Sequence, residues 1–182
     1  MQCFAPDMPQ LHVVNHLTGE VAAGETRNVL VEAARVVRGQ IKPVTEARVE
    51  DFDALIVPGG FGAAKNLSDF AINGAAMTVQ KDFLAFAQAM HAAKKPIGLI
   101  CIAPTMAAAI CGAGTKTTIG NDADTAAAVN ATGAQHCPCV VQDTCIDREK
   151  KLVTTPAYML AHSIAEANTG IGKLVAEVLA LI

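Results

Sequence analysis

Short runs that are apolar throughout alternate along this chain with segments of helical periodicity. The runs DALIVPGG (53–60) and PIGLI (96–100) have the length of strands, and the segment between them at 81–95 has the spacing of an amphipathic helix. The apolar face of that helix consists of Phe83, Phe86, Ala87 and Met90. A strand without polar alternation is covered on both faces, as in a parallel sheet between two layers of helices. The sequence therefore predicts an α/β fold with a mostly parallel sheet.

The remaining segments continue this alternation. The predicted elements are a helix at 25–38 that stops at Gly39, a helix from about Ala103 to Ile110, a strand at 115–120, a helix at 121–133, two strands around a polar turn within 139–155, and two closing helices at 157–170 and 171–182. A length of 182 residues suits one domain, and no linker or repeat interrupts it. We therefore expect a single domain spanning 1–182.

Charge and hydropathy exclude two classes of partner. The formal net charge is -3 and the Lys and Arg residues are scattered, so no basic stripe suits a nucleic acid. No apolar run is long enough to cross a bilayer, so we expect no membrane partner. The first ten residues resemble neither a signal peptide nor a transit peptide, which favours a cytoplasmic location. A mitochondrial location stays open if a transit segment lies upstream.

The chain contains six cysteines, which are Cys3, Cys101, Cys111, Cys137, Cys139 and Cys145. An Ala-rich chain with a large core and no secretory signal favours reduced thiols over disulfides. The HCPC stretch at 136–139 raises the question of a metal site. Zinc sites use C-x-x-C or wider spacings with a second pair of ligands elsewhere, and no second pair stands out here. We therefore expect no metal and interpret the stretch as a buried strand with small residues.

Cys101 stands at the junction between the PIGLI strand and the helix that follows it. In an open parallel sheet, ligands bind beyond the carboxyl ends of the strands, and both PGGFG (58–62) and CIAPT (101–105) fall at such ends. At a helix start, backbone N–H groups and the helix dipole favour an anion, and hence a thiolate nucleophile. If the two turns meet, the N–H groups of Ile102 and Gly60 can stabilise an oxyanion.

The alternative interpretation of Cys101 is a plain buried thiol, because free cysteine is among the most buried residue types. A nucleophile elbow usually carries small residues two positions on either side of the nucleophile. Ala103 meets this demand, but Leu99 does not, and Gly98 lies one place further back. The local spacing alone leaves the reactive and the buried thiol both open.

Six motifs together extend a resemblance over essentially the whole chain. They are CFAPD, NHLTGE, ETRNVL, DALIVPGGFGAAKNLS, KPIGLICIAP and VTTPAYMLA. They resemble the enhancing lycopene biosynthesis protein 2 family, the ElbB-like glyoxalases, in the PfpI-like branch of the class I glutamine amidotransferase-like superfamily. The resemblance implies a flavodoxin-like three-layer sandwich with Cys101 as the catalytic nucleophile on an elbow. It also implies that Gly59, Gly60 and Phe61 line the oxyanion side.

The same resemblance implies an activity. That activity is the glutathione-independent conversion of glyoxal to glycolate, with a small dicarbonyl as the partner and no cofactor. It leaves a homodimer open as the oligomeric state. The older family name links relatives to isoprenoid production without assigning a chemical step.

The chain departs from related enzymes in its histidines. Glutamine amidotransferases pair their cysteine with a histidine, and related glyoxalases keep one just after the strand that follows the elbow helix. That place is near Gly120 and Asn121 here, and neither is a histidine. The resembled family generally lacks the usual triad, so this absence fits. His136, at the start of a predicted strand, and His162, on a predicted helix, remain as candidate bases.

A second departure concerns the N-terminus. Relatives carry a further strand and helix before CFAPD, with an acidic residue that approaches the cysteine. We expect this chain to lack that first strand and helix, which leaves an open slot beside the strand at 53–60, unless another segment or chain fills it. Without the acid, we expect little glyoxalase turnover.

Two smaller predictions concern the rims of the crevice. Asn66 is predicted to cap the helix that follows it, with a role on the rim of the site as the alternative. Thr154, Thr155 and Pro156 are predicted to form a plain strand exit, with a place beside the crevice as the alternative.

Two functions of different classes follow. The first is a glyoxalase-type enzyme in which Cys101 adds to an aldehyde. The second is a non-catalytic redox sensor or binding protein on the same fold, since such scaffolds host many functions. Glycolate formation that depends on Cys101 separates the two.

Overall fold

The computed structural model describes residues 1–182 and contains ten strands and six α-helices. The strands are β1 (Cys3–Ala5), β2 (Val14–Asn15), β3 (Glu20–Val21), β4 (Ile41–Pro43), β5 (Leu55–Val57), β6 (Ile97–Ile100), β7 (Lys116–Thr117), β8 (Gln135–His136), β9 (Cys145–Asp147) and β10 (Leu152–Thr155). The α-helices are α1 (Val29–Val36), α2 (Phe70–Asn73), α3 (Lys81–Ala92), α4 (Ala107–Cys111), α5 (Ala123–Ala131) and α6 (Ile164–Ala180).

The central sheet has four strands in the order β5-β6-β10-β9. The first three are parallel, with Leu55 and Leu152 both in register with Ile97, and β9 is antiparallel at the edge. Every residue of β6 and β10 is buried, which confirms that these strands are covered on both faces. The predicted α/β fold with a mostly parallel sheet is therefore confirmed.

Helices cover both faces of this sheet. The larger core cluster packs α3 and α4 against one face and contains all four residues of the predicted α3 face, which are Phe83, Phe86, Ala87 and Met90. The smaller cluster lies on the other face, where Leu174 and Val178 of α6 contact Val153 of β10. The prediction for α3 is confirmed, because a 3.6-residue apolar period faces one side of the helix.

Three short pairs of strands stand apart from the central sheet. They are the parallel pair β1–β4, the antiparallel hairpin β2–β3 and the parallel pair β7–β8. As a result, β5 has β6 as its only strand neighbour and β1 has only β4. The expectation that a first strand and helix are lacking stays a prediction.

Three predicted elements differ in the structure. The two closing helices are one helix, α6, whose start is capped by Ser163 Oγ accepting from Glu166 N–H at 3.2 Å between heavy atoms. His162 therefore precedes a helix rather than lying on one. The strand predicted from 139 begins at Cys145, and Cys137 and Cys139 are half-buried residues outside any strand, so the interpretation of HCPC as a buried strand is wrong.

The predicted helix from Ala103 to Ile110 is divided. A 3-10 turn at Ala103–Met106 precedes the five-residue α4. Pro104 lacks a backbone N–H and suits such a first turn. None of the six helices combines the length and the apolar character needed to cross a bilayer.

Candidate functional site

Cys101 occupies a strained turn at the carboxyl end of β6. Its φ is +63°, in the left-handed region that residues other than glycine rarely adopt. Its N–H donates to the carbonyl oxygen of Thr155 at the end of β10, with 2.9 Å between the two atoms. A nucleophile elbow places its residue in this kind of strand-to-helix turn, with the side chain raised above the sheet edge. The half-buried Cys101 therefore has the backbone of an elbow residue.

The turn after β5 meets this elbow through Gly59. A Cβ built on Gly59 would lie 2.5 Å from Cys101 Cβ and 2.6 Å from the carbonyl oxygen of Ile100. Only glycine permits an approach this close. The expectation that the two strand ends converge is thus confirmed. The small residue at the elbow contact is thus Gly59, in the turn after β5. A large residue such as Leu99 is therefore tolerated two positions before Cys101.

The two predicted oxyanion donors lie on either side of this contact. Gly60 has φ of +82°, and Ile102 N lies 3.1 Å from the position of a Cβ on Gly59. Neither the Gly60 N–H nor the Ile102 N–H donates a hydrogen bond within the protein. Both donors are therefore free for a ligand, and their role as an oxyanion hole stays a prediction.

Phe61 is largely exposed, and its place on the oxyanion side stays a prediction. Its exposed fraction is 74 %, and Lys65 Nζ lies 4.9 Å from the centre of its ring. Lys65 Nζ also lies 3.3 Å from Nδ1 of His12, a residue of the N-terminal loop. Sequence spacing could not reveal this group, because 53 positions separate His12 from Lys65. The structure thus places Phe61 at the outer rim of the turn after β5.

The α-helix after Cys101 is shorter than the sequence suggested. The segment after the elbow is a 3-10 turn followed by an α-helix of only five residues. A short helix aligns few peptide dipoles, so we expect the helix dipole to contribute little at Cys101.

Neither candidate histidine is hydrogen-bonded to Cys101. The Nε2 atom of His136 accepts a hydrogen bond from Ile119 N–H at 3.4 Å, and burial lowers the pKa of its imidazole. His162 is exposed, and its backbone N–H donates to Glu166 Oε2 at 2.8 Å. No side chain forms a hydrogen bond with Cys101 Sγ. The thiol therefore has no hydrogen-bonded side chain to serve as its base.

Asn66 does not cap a helix. It lies within a π-helical turn, and its Oδ1 accepts a hydrogen bond from Leu11 N–H at 2.9 Å, so the capping prediction is wrong. Asn66 instead holds the N-terminal loop and lines a cavity of about 220 Å³ together with Lys65 and Asp69. The capping prediction failed because Asn66 Oδ1, the atom that would cap the helix, accepts its hydrogen bond from a residue 55 positions away.

The predicted strand exit at 154–156 is confirmed, since β10 ends at Thr155. Sequence reasoning placed Thr155 beside the crevice only as an alternative, whereas its carbonyl holds the N–H of Cys101. Parallel neighbours end at the same edge of a sheet, and this rule is the signal that links Thr155 to the elbow. No group of three or more His, Cys, Asp or Glu side chains is arranged to hold a metal ion.

The thiols differ in environment, which predicts their order of alkylation. Burial raises the pKa of Cys111 to about 12, and burial also raises the pKa of Cys139. We expect iodoacetamide near neutral pH to modify Cys101 faster than Cys111, Cys137 or Cys139, and faster than Cys111 by about 100-fold or more, because the thiolate is the reactive form. Peptide mass spectrometry over time measures these rates. Cys101 as the slowest of the four would contradict the prediction.

The pH dependence of Cys111 supplies an internal check. A thiol whose pKa is raised keeps its proton in the folded protein up to a higher pH. The alkylation rate of Cys111 should therefore rise about tenfold per pH unit until the pH approaches its pKa. A rate at Cys111 that is level across the alkaline range would contradict this assignment.

Comparison with known proteins agrees with this architecture. No model of a known protein family matches the chain. The rat mitochondrial ES1 protein homolog is 45 % identical over 98 % of this chain and 70 % of its own length. The human mitochondrial glutamine amidotransferase-like class 1 domain-containing protein 3 is 44 % identical over 100 % of this chain and 70 % of its own length.

A solved structure extends the comparison to the fold. The isoprenoid biosynthesis protein with an amidotransferase-like domain from Ehrlichia chaffeensis superposes with a TM-score of 0.89 at 33 % identity, over 100 % of this chain and 83 % of that one. The fold is therefore the flavodoxin-like fold of the amidotransferase-like proteins. The chain belongs to the family of the ES1 protein homologs and the glutamine amidotransferase-like class 1 domain-containing protein 3, within the class I glutamine amidotransferase-like superfamily.

Proposed function

We propose that this chain is a cysteine-dependent, glutathione-independent glyoxalase of the ElbB type, which converts glyoxal to glycolate. The observation that carries the proposal is the left-handed Cys101 in contact with Gly59, beside two N–H groups that donate to nothing within the protein. A thiol placed beside two free donors suits attack on a carbonyl carbon, because the developing oxyanion then receives hydrogen bonds.

The proposed reaction is an internal redox exchange that needs no cofactor. The thiolate of Cys101 adds to one aldehyde carbon of glyoxal, and the oxyanion takes up a proton to give a thiohemiacetal. The C–H proton of that carbon is then removed to form an enediol, which is reprotonated on the neighbouring carbon. This step leaves a thioester of glycolate on Cys101. Water hydrolyses the thioester, which releases glycolate and restores the thiol.

The proton transfers are the slow part of this scheme. Since no side chain is hydrogen-bonded to Cys101 Sγ, water or buffer must carry the protons. A positioned acid or base typically accelerates such steps by about 100- to 10,000-fold. We therefore expect the addition to Cys101 to be faster than release of glycolate, and turnover to rise with the concentration of a basic buffer.

The test combines turnover with mapping of the covalent intermediate. The 182-residue chain is incubated with glyoxal without glutathione, glycolate is quantified, and the modified peptide is identified by mass spectrometry. We expect a Cys101 adduct with only slow release of glycolate, and we expect Cys101→Ser to lose both. Cys3→Ser is the matched control, because this half-buried thiol lies on β1 and should leave both unchanged. Glycolate formation by Cys101→Ser at the original rate would refute the proposal.

The second candidate function is redox sensing or binding without turnover. It is favoured by the same absence of a side-chain base at Cys101, because a sensor needs only an accessible thiol. Oxidation of Cys101 to a sulfenic acid by dilute hydroperoxide, with no glycolate formed from glyoxal, is the result that selects this function.

The relatives also bear on location and pathway. The rat and human relatives carry the word mitochondrial in their names, which supports the mitochondrial location over the cytoplasmic one. The structural neighbour is named as an isoprenoid biosynthesis protein, which supports a link to that pathway without a chemical step.

A further inference from the structure

The ammonium group of Lys150 is surrounded by oxygen atoms of the segment 111–115, which ends α4. Lys150 belongs to the turn between β9 and β10, so this contact joins two distant parts of the chain. Its Nζ lies 2.8–3.1 Å from four oxygens, which are the carbonyl oxygens of Cys111, Gly112 and Ala113 and the hydroxyl oxygen of Thr115. We call these four atoms the oxygen cage. The reaction proposed at Cys101 does not use them.

Two left-handed glycines shape the loop that supplies the cage. Gly112 and Gly114 have φ of +85° and +73°, the conformation that commonly follows the C-terminus of a helix. The last carbonyl groups of a helix have no partner within that helix. The end of α4 therefore presents oxygens that need a donor or a positive ion.

The turn that carries Lys150 is fixed by a buried carboxylate. Asp147 is only 7 % exposed, and its Oδ1 accepts the Lys150 N–H at 3.1 Å. Its Oδ2 accepts the N–H of Lys116 at 2.9 Å. Because Lys116 directly follows the cage in sequence, one carboxylate holds both the cage and the turn that brings the ammonium to it. Its negative charge also favours a cation nearby.

The number of oxygens and their distances suit a monovalent cation. A lysine ammonium has three N–H donors, so it cannot give each of four acceptors a proton of its own. Mg²⁺ and Ca²⁺ take oxygens at about 2.0–2.6 Å, usually with carboxylates among them, whereas this cage is wider and contains no carboxylate. Carbonyl oxygens can replace the hydration shell of K⁺. NH₄⁺ carries the same charge and has one donor for each acceptor.

We propose that the oxygen cage is a monovalent-cation site whose resident ion is the ammonium of Lys150, and that it binds K⁺ or NH₄⁺ when this ammonium is removed. Lys150 acts here as a tethered ion, since its amine forms no ion pair with a carboxylate. A tethered group has a high effective concentration at its site. The unsubstituted protein should therefore respond no differently to K⁺ than to Li⁺.

The test compares Lys150→Ala with the unsubstituted full chain in the chlorides of Li⁺, K⁺, NH₄⁺ and tetramethylammonium at equal ionic strength. Alanine removes the ammonium and its stem, which leaves space beside the cage. In LiCl and in tetramethylammonium chloride we expect the thermal midpoint to fall by about 5 °C, because hydrogen bonds from a charged donor are lost. In KCl and NH₄Cl the variant should recover about half of this loss or more, with a dependence on ion concentration that saturates.

Matched variants separate the site from general salt effects. Lys151→Ala removes the neighbouring lysine, whose Nζ donates to a single oxygen, the Leu181 carbonyl at 2.8 Å. This variant should show the same difference between KCl and LiCl as the unsubstituted chain. Thr115→Val, made in the Lys150→Ala background, removes one oxygen of the cage and should lose most of the recovery in KCl.

The outcomes that would overturn the proposal are distinct. They are an unchanged midpoint in Lys150→Ala, equal stabilisation of this variant by every cation, or a variant that stays unfolded in all the salts. A variant that is unfolded in LiCl and folds when KCl is added supports the proposal.

Acylation of the unsubstituted chain gives a measurement that needs no variant. Sulfo-NHS-acetate should modify Lys150 about tenfold more slowly than the exposed Lys116, because a charged amine held by several acceptors must leave them before it reacts. Equal rates in peptide mass spectrometry would show that the ammonium does not occupy the cage. None of these readouts depends on Cys101 or on glyoxal, so a failure here is distinct from a failure of the proposed function.

Discussion

Gly59→Ala is expected to disable the elbow and to slow alkylation of Cys101 by about tenfold or more. The new methyl group would lie 2.5 Å from Cys101 Cβ and 2.6 Å from the Ile100 carbonyl oxygen, and the latter is backbone that a rotamer change cannot move. The two turns must separate, which costs about 1–3 kcal/mol of folding free energy, as for other overpacked sites. Separation also moves the Gly60 turn away from Ile102, so the predicted oxyanion hole should be lost.

The control for this prediction lies three positions further on. Gly62 has φ of -60° and open space where a Cβ would stand, so Gly62→Ala should leave the alkylation rate of Cys101 unchanged. Urea unfolding gives the free energy of unfolding, and peptide mass spectrometry gives the rate. A Gly59→Ala protein with the original stability and the original Cys101 rate would show that the two turns do not meet as described.

Gly170→Ala is expected to be the most destabilising of the substitutions considered. A Cβ on Gly170 would lie 2.2 Å from the carbonyl oxygen of Val141 and 2.9 Å from Thr155 Oγ1. To admit it, α6 must move away from the 137–145 loop and from the end of β10. We expect a loss of about 3 kcal/mol, the upper end for overpacked interiors, together with a fall in the thermal midpoint.

Gly172→Ala on the same helix is the matched control and should act in the opposite direction. Gly172 is exposed, and no atom lies within 4 Å of a Cβ built there. Alanine is more stable than glycine inside a helix by about 0.5–1 kcal/mol, so this variant should unfold at a higher temperature. Two variants destabilised equally would show that Gly170 does not carry the contact with Val141.

Several features of this protein follow from local sequence. The apolar runs at 53–60 and 96–100 predicted β5 and β6, and the spacing within 81–95 predicted the buried face of α3. The position of Cys101 after a buried strand predicted that it would meet the turn after β5. These inferences succeeded because strand and helix periods are encoded by neighbouring residues, and because the ends of parallel strands share an edge.

Other features depended on residues far apart in the chain. The motif pattern treated Leu99 as a defect of the elbow, whereas the close approach there is made by Gly59 from another strand. Gly170 was interpreted as the end of a helix, but it lies inside α6, where the Val141 carbonyl leaves room only for glycine. Asn66 was assigned to a cap, and the distant Leu11 N–H uses its oxygen instead.

Sequence by itself therefore determined the α/β class, the strands that carry the site and the cysteine that stands at their ends. Tertiary structure alone decided the left-handed backbone of Cys101, its hydrogen bond to the Thr155 carbonyl and the close approach of Gly59. The physical reason is that a secondary-structure period is a property of consecutive residues. A close contact depends instead on how segments that are distant in sequence pack against each other. No local sequence pattern shows at which position this packing requires a glycine or a hydrogen-bond acceptor.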